Sequence, residues 1–216
     1  MTLASLPLDP LAFRQRRYLF GALVTLGIIA LVAVLGPSER VLGAALRLVL
    51  LHGAWVWVGK VAFALAGLVG LGFWLMRRPA WAALSQALAW TGFLFWSTYL
   101  PMSLYLQVRI WGGVFWDEPR WRVPLMLWGV SLLLQVAMLV MREPGLAAVV
   151  NAGFAGLLWW QLGMTGTVLH PQSPVFGGDA LRIQIHFVVL LGLCGGLMVQ
   201  IALLLWPYAR RLFYPA

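Results

Sequence analysis

The chain holds three histidines, His52, His170 and His186. It also holds one polar island between long apolar runs, Arg109–Arg122, which reads Arg-Ile-Trp-Gly-Gly-Val-Phe-Trp-Asp-Glu-Pro-Arg-Trp-Arg. Imidazole is the commonest metal-ligating side chain. Flat indole faces together with guanidinium groups suit a planar molecule with carboxylate edges. Two imidazoles from different helices, roofed by a Trp-rich loop, could form an axial pair on one heme iron, and His52 and His170 are the candidates.

The surroundings of these residues support that chemistry. His52 stands in Leu-His-Gly-Ala-Trp-Val-Trp, where Gly53 leaves room beside the imidazole and Trp55, at i+3, lies on nearly the same helix face. His170 stands in Leu-His-Pro-Gln-Ser-Pro, where Pro171 is expected to stop a helix. In the island, Trp111, Trp116, Trp121 and Phe115 offer stacking faces, and Gly112 and Gly113 let the backbone approach a flat ligand. Arg109, Arg120 and Arg122 can pair with propionates, and Asp117 could orient an Arg or an indole N–H. The competing reading is an interfacial aromatic belt, which accounts for Trp81, Trp128, Trp159, Trp160 and Trp206. A belt needs neither Gly-Gly nor paired charges. His186 reads as a packed or interfacial side chain, and Lys60, about 12 Å deeper than His52 along the same helix, reads equally as structural or functional.

The elements that must position these groups are membrane helices. The 216 residues are 62% hydrophobic and 10% charged, with 13 Trp and a mean hydropathy of +0.90, which excludes a soluble domain. Six apolar runs reach bilayer length: Tyr18–Leu35, Leu48–Met76, Trp81–Val108, Val123–Met141, Leu146–Leu169 and Ile183–Trp206. None alternates like a strand, so the expected fold is an all-α integral membrane protein. It is a single domain over residues 1–216, a six-transmembrane-helix bundle with the Trp-rich loop at about 109–122 between helices 3 and 4. Asp9, Pro10 and the Arg14, Arg16, Arg17 flank argue for a retained first helix rather than a cleaved signal peptide.

The net charge of +9 reports membrane loops and lipid headgroups, and nucleic acid is not an expected partner. Very short Arg-marked turns on one side and longer loops on the other predict cytoplasmic termini and an outward Trp-rich loop. The lone Cys194 is expected to pack, and the cluster Gly192, Gly195 and Gly196 is expected to be a close-packing helix surface.

The run Trp111-Gly112-Gly113-Val114-Phe115-Trp116-Asp117-Glu118-Pro119-Arg120 resembles the tryptophan-rich "WWD" signature of the heme-handling membrane proteins of cytochrome c maturation. In size and helix count the chain resembles the CcmC family. That family has an outer-face His at the start of helix 2, the WWD loop between helices 3 and 4, and a second outer-face His after helix 5; His52, the Trp116-Asp117 loop and His170 fall at those positions. Val114 and Phe115 stand where the family has Trp, and the continuation Trp-Asp-Glu-Pro-Arg-Trp departs from its pattern. The resemblance implies a protein of the inner membrane that is not an enzyme. It implies heme b held at the periplasmic face and passed to a CcmE-type heme chaperone, beside CcmA- and CcmB-type ABC transporter subunits and a small CcmD-type subunit. Two rival classes are a heme b electron-transfer subunit, which would want about four histidines on two sides, and a small-molecule transporter, which would want broken helices in two halves. Pro101 is expected to interrupt helix 3, without a counterpart elsewhere.

Overall fold

The computed structural model describes residues 10–166, 168–170, 175–177 and 180–215; Pro171, assigned above as a helix stop, lies outside them. Six helices follow in order: α1 Pro10–Val34, α2 Ala45–Met76, α3 Pro79–Trp111, α4 Pro119–Met141, α5 Pro144–Met164 and α6 Leu181–Phe213. Among the described residues there is no β-strand, only an isolated bridge between Glu39 and Gly43. Five helices, all but α3, are long and apolar enough to cross a membrane, which makes the chain a helical multi-pass membrane protein.

Local sequence sets the helix limits. Proline opens α3, α4 and α5, where its missing N–H would have no helical partner and its fixed φ is already right. Gly112 ends α3 in the left-handed region at φ 78, its N–H bonded to the Val108 carbonyl. With α4 beginning at Pro119, the non-helical part of the expected 109–122 loop shrinks to residues 112–118. Helix α5 stops at Met164, five residues earlier than the apolar run predicts. Gly163 weakens its last turn, Gly166 follows just beyond it, and the Thr165 hydroxyl donates to the Gln161 carbonyl at 2.6 Å. Helix α6 instead runs on through Pro207 to Phe213, and α3 is continuous through Pro101 rather than interrupted there. Proline inside a membrane helix is tolerated because neighbouring helices and hydroxyl side chains compensate the lost bond.

Helices α2 and α3 form the centre: α2 packs on α1, α3, α5 and α6, while α3 packs on α2, α4, α5 and α6. Close approach depends on glycines of α2. A Cβ at Gly70 would lie 2.6 Å from the Ala148 carbonyl oxygen of α5, and one at Gly67 would lie 2.7 Å from Ala155 Cβ, the small-residue contact by which membrane helices associate. The cluster Gly192, Gly195 and Gly196 does not do this; nothing lies within 4 Å of a Cβ at any of the three. Cys194 between them is fully buried against Leu190 and Leu197.

The low hydropathy of α3 follows from its central place. Ser85, Gln86, Thr91, Ser103 and Gln107 are buried within the bundle, and Ser85 and Gln86 bond to neighbouring helices. Ser85 donates to the Ala66 carbonyl at 2.8 Å, Asn151 donates to Ser85 at 3.0 Å, and Gln86 donates to Gln135 at 2.6 Å. These bonds tie α3 to α2, α5 and α4 where lipid offers no alternative partner.

Candidate functional site

The segment that follows α5 returns to the loop between α3 and α4, and a carboxylate joins them. Glu118, 3% exposed, is the residue before Pro119 and so sits at the mouth of α4 with extended backbone. One of its oxygens accepts the Leu169 N–H at 3.1 Å, and the other lies 3.1 Å from His170 Nδ1. Burial works against the Glu118 charge, but the bonds from His170 and from the Leu169 and Arg120 N–H groups outweigh it and hold the carboxyl below its usual range. An ionised Glu118 can only accept, so Nδ1 carries a proton, and in the neutral imidazole the lone pair then falls to Nε2. This is the arrangement in which a carboxylate orients a metal-ligating imidazole and raises its basicity.

Trp111 meets His170 edge-on with ring centroids 5.0 Å apart, and Phe115 stands 6.2 Å from Trp111. The loop backbone is pinned from inside, since Phe115 N–H donates at 3.0 Å to the buried side chain of Gln107. Trp121 is buried and stands 6.3 Å from Trp116, which is 62% exposed. The loop therefore presents one free indole face to its surroundings and uses two others as walls.

His52 comes to the same region from α2. Its place near the start of α2 puts it at the end of the bundle where α3 runs into the loop. Its ring is tilted against Tyr99 at 5.6 Å, and its Nδ1 is buried without a hydrogen-bond partner. Trp55 faces α3, its ring tilted against Phe95 at 4.5 Å and its N–H donating to Thr98 at 2.8 Å. Tyr99 OH, Gln107 Nε2 and Trp121 Nε1 are also buried without partners. A heme-type ligand suits this donor set: one imidazole is fixed by a carboxylate, a second has an unsatisfied nitrogen, and aromatic walls and orphaned donors lie around them.

Other candidates lie apart. Arg109 lines a separate cavity of about 410 Å³ with the 41–45 segment. Asp117, Arg120 and Arg122 are exposed. His186 packs against the end of α1, where a Cβ at Gly36 would come within 2.7 Å of its Nε2. Lys60 places its ammonium 3.4 Å from the Trp57 ring centre and 5.0 Å from that of Trp159, a cation–π cage in place of an amide or carbonyl partner.

Glu118 is the residue that reading the sequence missed, although an acidic residue directly before a helix-opening proline is a recognisable signal. In comparisons with known proteins, no family model, no curated protein and no solved structure matches this chain.

Proposed function

We propose that the chain crosses the membrane six times, with cytoplasmic termini, and binds heme b at its outer face for transfer to a heme chaperone. The observation that carries this reading is the buried Glu118 holding His170 by Nδ1, at the end of the bundle to which α2 brings His52. Helix α3 counts as the sixth span because its polar side chains are turned into the bundle. The WWD-like run and the order of His52, loop and His170 support a place beside CcmA- and CcmB-type transporter subunits and a small CcmD-type subunit.

Heme, the cargo on this reading, supplies an iron that takes one ligand on each side of its ring. The work of the chain is to present those ligands. Glu118 keeps the proton of His170 on Nδ1, and Trp111 limits rotation of the same imidazole. His52, on a central helix, is the more rigid partner. Trp116, on the exposed part of the loop, offers a stacking face that a departing ring can leave without rearrangement of the bundle. Arg120 and Arg122, exposed in the first turn of α4, can pair with propionates.

The test is transfer. Heme-loaded full-length protein is mixed with an apo heme chaperone of the CcmE type and the two are separated. The expected result is heme on the acceptor from wild type and little from Trp116→Ala. Heme that binds but stays on wild type would contradict the relay.

A further inference from the structure

At the end of the bundle away from the loop, a cavity of about 460 Å³ opens between α1 and α6. Its walls carry the guanidinium groups of Arg14, Arg210 and Arg211, the phenols of Tyr18 and Tyr214, and the indole of Trp206. Among the described residues no carboxylate lines it, and the charge of Glu143 is felt at Tyr214. Arg14 is held toward Tyr18, Nε to hydroxyl 3.4 Å. The Trp206 N–H is buried without an acceptor, an unmet need in a wall that is otherwise rich in donors.

The chemistry of the cavity changes with depth. Arginines sit at the helix ends, while Leu203, also in the wall, lies about 10 Å further along α6. On α1, Leu19 and Phe20 follow the lining residue Tyr18 in sequence and are exposed at 48% and 70%. Charge at one level and apolar surface one to two turns deeper is the profile of a phospholipid, with phosphate above acyl chain. We propose that this cavity binds an anionic phospholipid, its phosphate among Arg14, Arg210 and Arg211 and its chains along α1. A soluble phosphate would use the donors and ignore the apolar wall.

The test uses full-length protein, delipidated in detergent. Native mass spectrometry follows its binding of phosphatidylglycerol, phosphatidylcholine and inorganic phosphate. Retention of one phosphatidylglycerol, with neither phosphatidylcholine nor inorganic phosphate retained, is expected. Arg14→Gln with Arg211→Gln should weaken it by roughly thirtyfold, and Trp206→Phe, which keeps the packing, should weaken it less. Arg77→Gln with Arg78→Gln, at the same end but outside the cavity, should leave it unchanged. Equal retention of phosphatidylcholine, retention of inorganic phosphate instead of lipid, or equal loss in the Arg77/Arg78 variant would overturn the proposal. So would a folded Trp206→Phe protein that binds as wild type does.

Discussion

At one end of the bundle the helices stop on Arg77 and Arg142, both left-handed at φ 53, and turn at once into the next helix. At the other end α3 stops on Gly112, and seven residues, 112–118, pass before α4 begins. Arginine in a left-handed cap is strained relative to glycine, so its use twice at one end reflects a need for charge there. The loop end keeps glycine for the turn and turns a carboxylate inward. Exposed Asp117 and buried Glu118, adjacent in sequence, show the same division at single-residue scale. Charge directed outward stays exposed, whereas charge directed inward holds an imidazole.

The largest expected effect is at the two ligands. His52→Ala and His170→Ala should each turn six-coordinate heme into a five-coordinate or mixed form, while His186→Ala, packed against Gly36, should leave the spectrum nearly unchanged. Next, Glu118→Gln should lower heme affinity by roughly 10–100-fold, and Asp117→Asn should cost far less; equal effects in a heme titration would erase the contrast between the two carboxylates.

Glu118 also gives a pH signature. Its folded pKa is depressed, so its stabilising contribution is full above the ordinary carboxylate value of about 4.3 and is lost as pH falls through the lowered value. The Tm gap between wild type and Glu118→Gln should therefore persist at neutral pH and close in strong acid. A smaller effect concerns packing: Gly70→Leu should destabilise by about 1–3 kcal/mol, whereas Gly196→Leu should stay within about 0.5 kcal/mol, both read as shifts in thermal unfolding. Topology can be probed without changing stability. With Cys194→Ala as background, a membrane-impermeant thiol reagent should label Gly113→Cys in intact cells and Ala80→Cys only after lysis.

The apolar runs located all six helices, and proline, glycine or arginine marks an end of each of the first five. They misjudged α5 and α6 at their C-terminal ends and α1 at its start, which lies at Pro10 rather than Tyr18. Length of apolar sequence does not register the Thr165 hydroxyl bonded to Gln161 or a proline carried inside a helix. The glycines were visible but their orientation was not: α2 and α6 both carry several, and only the packing of α5 onto Gly67 and Gly70 distinguishes them. Of the site, His52, His170 and the tryptophans stood out by residue type and position. The pairing of Glu118 with His170 spans 52 residues, and no local pattern encodes it.

The central claim is that His52 and His170 share one ligand, and the absorption spectrum of detergent-purified, heme-loaded full-length protein tests it most directly. The account predicts one heme per chain with a six-coordinate, low-spin spectrum that disappears in His52→Ala with His170→Ala. A low-spin spectrum that survives in that double variant, or no stoichiometric heme binding by wild type, would contradict it.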